Sequence, residues 1–225
     1  MGTLYLVRHG QASFGAADYD QLSELGRRQC QRLGEHLRSR GLQVEAFHRG
    51  SLRRQAQSLD AIAEGLGVAA AAVVAPAWNE YDAEAVVRAL HPQLPPAPAE
   101  ADAAATYRHH FRLLREGLAA WMEGRTAPLG MPTHADFVAG VSQALQSIRT
   151  QHGGNVLLVS SGGPIATAVG LVLGLAPATV IELNLRIRNS AVTEFTFTPK
   201  RHTLISYNTI AHLEQGVGPD WVTYA

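Results

Sequence analysis

Four short stretches of this sequence carry side chains suited to holding and attacking a tetrahedral anion. Arg8-His9-Gly10 closes an apolar run at residues 4–7. The guanidinium offers a planar, permanently charged fork for phosphate oxygens. The imidazole, with an ordinary pKa of roughly 6.5, is a neutral nucleophile at neutral pH. Glycine lets the backbone come close to an anion. Arg54 falls in the first turn of a helix that Ser51 would cap, where free N–H groups and the helix dipole favour negative charge. Its neighbour Arg53 reads as a solvated surface residue. Glu80, between Trp78 and Tyr81, is a carboxyl group that apolar shielding would keep protonated, hence a proton donor. Ser161-Gly162-Gly163-Pro164 is a further strand-end turn leading into a helix. Each stretch alone is compatible with an ordinary turn or surface; their convergence on one sheet edge would make a phosphate pocket.

The elements that must bring them together follow from apolar periodicity. Short strand-like runs alternate with helical stripes, the pattern of a layered α/β sheet protein. Strands are expected at residues 4–7, 44–48, around Val73 and Val74, and at 155–160. One helix runs from Ser23 to about Arg38 and is closed by Gly41; another carries the stripe Leu52, Ala56, Leu59, Ala63 and Leu66. Residues 83–101, rich in Ala and Pro, read as an irregular excursion. Two helices then follow, one with Tyr107, Phe111, Leu114, Leu118 and Trp121, the other capped by Thr133 with Phe137, Val141, Ala144 and Ile148. Pro164 suits the first turn of a helix reaching about Leu173. Thr193, Phe195 and Phe197 alternate onto one face, and a turn at 199–202 leads to residues 204–207, a hairpin. The expected organisation is one domain, 1–225, with about 83–132 packed over it as a cap.

Composition narrows the function classes. The chain has 225 residues, 46% apolar and 17% charged, with zero formal net charge, so nothing points to nucleic acid or an anionic membrane. The single cysteine, Cys30, lies on an apolar helical stripe as a buried filler and permits neither an intramolecular disulfide nor a thiolate metal cluster. The ten histidines show no metal-ligand spacing, so neither metal nor cofactor is expected. The start of the chain lacks a basic, long apolar leader, and the apolar stretch at 165–176 is too short to span a bilayer. The expectation is a soluble, cytoplasmic protein; oligomeric state is not legible.

The ordered set Leu6-Val7-Arg8-His9-Gly10-Gln11-Ala12, Leu22-Ser23-Glu24-Leu25-Gly26 with Gln29-Cys30, Ser51-Leu52-Arg53-Arg54-Gln55-Ala56-Gln57-Ser58, Asn79-Glu80 and Val159-Ser160-Ser161-Gly162-Gly163 resembles the histidine phosphatase, or phosphoglycerate-mutase-like, superfamily. The resemblance spans nearly the whole chain. It implies a three-layer α/β/α sandwich with a helical cap insertion and a metal-independent, two-step reaction. His9 would attack phosphorus and be transiently phosphorylated, with Glu80 protonating the leaving oxygen. Water would then release phosphate, with Glu80 acting as base. Arg8 and Arg54 would hold the equatorial oxygens.

Two departures stand out. The closing motif of the family reads Ser-His-Gly-Gly, whereas Ser161 stands here in place of the histidine. A serine brings one hydrogen bond and no charge, and losing such a contact costs about 2–4 kcal/mol in the transition state, roughly a hundredfold in rate. His48, His134 and His212 are nameable substitutes, each with a stronger claim to a structural or surface role. Where relatives carry a phosphate-contacting asparagine, this chain reads Ser13-Phe14-Gly15. Ser13, Ser161 and Gly162 join Arg8 and Arg54 as candidate phosphate contacts. The resulting expectation is a phosphomonoester hydrolase acting on a small phosphorylated metabolite, its partner that metabolite or inorganic phosphate. The alternative is a phosphate-binding pseudo-phosphatase silenced by Ser161. A phosphoglycerate mutase is disfavoured, because the cap has few basic residues (Arg88, Arg108, Arg112, Arg115 and Arg125).

Overall fold

The computed structural model describes residues 1–13, 20–94, 103–214 and 216–224. At its centre lies a six-stranded sheet in the order β3-β2-β4-β1-β5-β6, built from β1 (Gly2–Arg8), β2 (Ala46–Arg49), β3 (Ala72–Val74), β4 (Asn155–Ser160), β5 (Val192–Thr198) and β6 (Arg201–Thr209). The first four in that order pair in parallel, while β5 runs antiparallel to both β1 and β6. Parallel strands covered on both faces need continuous apolar sequence, and β1 and β4 supply it. Their side chains alternate between two cores. Leu4, Leu6, Val156 and Leu158 join one cluster, with Val7, Leu157 and Val159 in the other.

Helices α1 (Glu24–Ser39) and α2 (Arg53–Leu66) cover the second cluster through Leu33, Leu37, Leu59 and Ile62. On the opposite face α5 (His134–Gln151) and α6 (Gly162–Leu173) contribute Val141, Leu145, Ile165 and Val169. The three-layer α/β/α architecture expected from the sequence is therefore present. A further cluster joins α3 (Ala83–Leu90) and α4 (Ala103–Met122) through Val86, Val87, Leu114, Leu118 and Trp121, and Ile181 of α7 (Pro177–Arg186) closes it. Cys30 is fully buried, as a filler should be, and burial pushes its thiol up to about 11.

Several local expectations need correction. Residues 83–90 are helical, not irregular: Asp82 caps them by accepting from the Ala85 N–H at 3.0 Å, and Val86 and Val87 are buried. The proline run at 95–98 lies outside the described residues, as does the Tyr107 side chain. Helix α7 was not expected at all; its signal is Pro177 in the first helical position, followed by buried Val180, Ile181 and Asn184. The turn after β5 occupies only Pro199 and Lys200, since β6 already begins at Arg201 and extends to Thr209. Ser23 and Thr133 do cap α1 and α5, accepting from Gly26 and Asp136 respectively. Ser51 does not cap α2, for a reason that belongs to the site.

Candidate active site

Arg8 is the last residue of β1, and His9 follows it at the carboxyl end of the sheet, between the ends of β4 and β5. Backbone bonds hold His9 on both sides: its N–H donates to Ser160 O at 2.9 Å, and its carbonyl accepts from the Ser190 N–H at 3.1 Å. The next amide, Gly10 N–H, donates to Ser58 Oγ at 3.0 Å, and that hydroxyl donates onward to Arg54 O at 2.7 Å. The loop carrying the imidazole is thus tied directly to the helix carrying the second arginine. Gly10 is required by packing as much as by anion approach, because a Cβ there would meet the Gly26 carbonyl oxygen of α1 at 2.3 Å.

The imidazole is 2% exposed, and its tautomer is set from both ends. Nδ1 lies 2.7 Å from Gly10 O, a partner that can only accept, so Nδ1 carries the proton. Nε2 then holds the lone pair, and Arg54 Nε–H donates to it at 3.3 Å. Burial first, then the positive charges of Arg8 and Arg54, hold His9 well below its usual range, so it stays neutral and nucleophilic.

Arg54 is 8% exposed and pairs through Nη1 with Asp20 Oδ1 at 2.8 Å. The same carboxylate accepts from the Arg53 and Arg54 backbone N–H groups at 2.8 and 3.4 Å. Asp20 is therefore the cap of α2 as well as the partner of its arginine. Leu52 occupies the N-cap position and has no side chain able to serve. Ser51 is engaged elsewhere: its N–H donates to Asn79 Oδ1 and its Oγ accepts from Asn79 Nδ2, both at 2.7 Å. This clamp fixes the segment that presents Glu80.

Glu80 lies against the start of α6, where Oε1 accepts from the Gly163 N–H at 2.9 Å and from its neighbour Tyr81 N–H at 3.3 Å. Desolvation pushes its carboxyl above the usual carboxylate range, against the opposing pull of Arg54, Arg8 and those two amides. The glycine is obligatory: a Cβ on Gly163 would sit 2.3 Å from Glu80 Oε1 and 2.7 Å from the Tyr81 ring. A Cβ on Gly162 would meet Asn184 Oδ1 at 2.5 Å.

Arg8, His9, Arg54 and Glu80 line a single cavity of about 920 Å³. Ser161 and Gly162 are buried beside it without being among its lining residues, and Ser161 Oγ accepts from Gln55 Nε2 at 3.0 Å. Ser13 also lies off the cavity lining, its N–H donating to Gln21 O at 2.8 Å; Phe14 and Gly15 fall outside the described residues. None of the nameable substitute histidines reaches the cavity. His48 bonds His152 at 3.1 Å, His134 packs edge-on against Trp121, and His212 meets Ser190 Oγ at 2.8 Å. The histidine that does line the cavity besides His9 is His110 of α4.

Further contacts tie the site to distant parts of the chain. Arg8 Nη1 donates to the carbonyls of Ile187 and Tyr224, the latter at 2.9 Å. Gln29 of α1 accepts from the Gln11 N–H at 2.9 Å and donates to Trp221 O and Thr223 Oγ1. Residues near the carboxyl terminus thus brace the loop that carries His9, together with Arg8. The contacts to Trp221, Thr223 and Tyr224 join positions more than 190 apart in the chain, which no local pattern reveals.

A family model described as the histidine phosphatase superfamily, branch 1, matches residues 4–210. No curated relative matches the chain. Among solved structures, a phosphoserine phosphatase from Entamoeba histolytica in complex with phosphoserine aligns with TM-score 0.65 at 18% identity, covering 95% of this chain and 100% of its own. A mycobacterial glucosyl-3-phosphoglycerate phosphatase gives 0.64 at 23% identity, covering 93% and 99%. A phosphoglycerate mutase from Bacillus anthracis gives 0.63 at 17% identity, covering 94% of each chain. Similarity at these identities establishes a shared fold.

Proposed function

The chain belongs to the histidine phosphatase superfamily, and on that footing we propose that it hydrolyses phosphomonoesters of small metabolites through a phosphohistidine on His9. The carrying observation is that a neutral imidazole with its lone pair on Nε2, two arginines and a shielded carboxyl group line one cavity. In the first step Nε2 attacks phosphorus in line and the ester P–O bond breaks. Glu80 gives its proton to the departing alkoxide oxygen. Water then attacks phosphorus, the N–P bond breaks, and the Glu80 carboxylate takes the water proton. Arg54 and Arg8 stabilise the charge on the equatorial oxygens throughout. Residues 83–132, including α3 and α4, act as the cap of a single domain in this reading.

Ser161 favours slow turnover as the second reading. Its hydroxyl oxygen is held by the Gln55 amide, and the side chain brings no charge to a developing anion. A mutase fits less well, since none of Arg88, Arg108, Arg112, Arg115 or Arg125 lines the cavity. The test is phosphate release from an aryl phosphate, combined with an alkaline quench that preserves phosphohistidine. The natural protein should yield a base-stable phosphoryl label and His9→Ala none. A natural protein that binds phosphate yet never acquires the label would establish the pseudo-phosphatase instead.

A further inference from the structure

The cavity beyond the phosphate end has a chemistry of its own. At about 920 Å³ it sits near the top of the roughly 300–1,000 Å³ range of pockets that enclose whole ligands, far more than a phosphoryl group needs. Its apolar lining comes from four separate places in the chain: Leu52 before α2, Tyr81 before α3, Phe111 and Leu114 on α4, and Leu185 on α7. Tyr224, whose carbonyl accepts from Arg8, is also among the lining residues. The polar groups among these walls are largely spoken for. Asn184 Nδ2 donates to the Tyr81 hydroxyl at 2.7 Å, Asp82 caps α3, and Glu84 pairs with Arg88 at 2.7 Å.

The charge balance is equally lopsided. Both lining arginines, Arg8 and Arg54, stand at the His9 end, where the transferring phosphoryl group would use them. Among the described residues, the rest of the lining includes two carboxylates, Asp82 and Glu84, and no lysine or further arginine; His110 is its basic member. A second phosphate or a carboxylate on the substrate would face these acidic groups, and the Arg88 guanidinium beside them is paired with Glu84 and is not among the lining residues. A flat or branched apolar body would instead meet aliphatic and aromatic walls and gain from every apolar surface it removes from water.

Resting on the hydrolase reading above, we infer that the substrate is a phosphate monoester of a bulky, ring-bearing apolar alcohol with no second anionic group. Phosphonates test this independently of turnover, because their C–P bond survives the proposed chemistry. Calorimetric titration of the natural protein with naphthylmethylphosphonate and with 3-phosphonopropionate should give at least tenfold tighter binding of the aryl compound. Phe111→Ala should bring that ratio towards one, and Leu185→Lys should turn it in favour of the carboxylate. Equal or tighter binding of 3-phosphonopropionate to the natural protein overturns the inference, as does an aryl preference unmoved by both substitutions. If neither phosphonate binds, the phosphate-pocket reading itself falls. Aryl-selective binding without any phosphohistidine on aryl phosphates would keep the ligand class and remove the hydrolase.

Discussion

Histidine and glutamate titrate in an unhelpful order when left to themselves, near 6.5 and 4.3. The proposed first step needs the imidazole neutral while the carboxyl is still protonated, a combination scarcely populated in water. Burial shifts both groups the useful way, His9 down and Glu80 up. His9 becomes nucleophilic above its lowered pKa, and Glu80 remains a donor below its raised one. kcat/KM should therefore hold into mildly acidic solution, falling on the acid side as His9 protonates and on the alkaline side as Glu80 ionises. Glu80→Gln should lose about 10²–10⁴-fold and shed the alkaline limb attributable to Glu80, which a pH–rate series would check. For Ser161→His alone little gain is expected, because Gln55 fills the adjoining space and donates to Trp78 O as well. Pairing it with Gln55→Ala should raise kcat at least tenfold over Gln55→Ala alone, measured on one aryl phosphate. Arg8, His9, Arg54 and Glu80, which line one cavity, could be singled out in the sequence because their types are rare in combination. Their support Asp20 could not, and Gln55 entered only as a member of the Ser51–Ser58 stretch, since a lone aspartate or glutamine becomes informative only when its neighbours in space are known.

Among the elements, α2 depends on another part of the chain for its first turn. Asp20→Ala removes both the cap and the partner of Arg54, so stability should fall by about 0.5–2 kcal/mol in urea titrations. The same variant should raise KM, as Arg54 loses its anchor; Asp20→Asn, which can still accept from the amides, should restore most of the stability and less of the KM. The start of α6 poses the opposite problem, a space too small for any side chain. Gly163→Ala must displace Glu80 or Tyr81, costing about 1–3 kcal/mol and most of the turnover, readable by thermal unfolding and phosphate release. The strands and helices α1, α2, α4, α5 and α6 were legible from local sequence, with Ser23 and Thr133 caps in place. Ser51 misled because its hydroxyl found a better partner in Asn79 than in its own helix. Helix α3 was obscured by the Ala- and Pro-rich stretch that follows it, although Asp82 and buried Val86 and Val87 are an ordinary helix start.

For the molecule as a whole, acid should be more damaging than the zero net charge suggests. His48 and His202 are held down to about 4 and His212 to about 3, in each case chiefly by burial. Unfolded, each would take up a proton near 6.5. The folded state gains from their neutrality above that pH and loses the advantage as pH falls from about 6.5 towards 4 and then 3. Tm should accordingly drop between pH 7 and pH 4.5, and a His48→Gln, His212→Gln pair should flatten the slope over that interval. The layered fold was readable from alternating strand and helix patterns; the sheet order was not, since it depends on which distant strands meet. β1 lies between β4 and β5, so the first strand pairs with residues 155–160 and 192–197. Closing contacts across such separations is slow, and little rewards the chain until most of the sheet is present. Arg8 and His9 are consequently among the last groups to find their places. A partly folded chain can carry well-formed α1 and α2 and still have no nucleophile in position, so recovery of activity on refolding should trail recovery of helical signal.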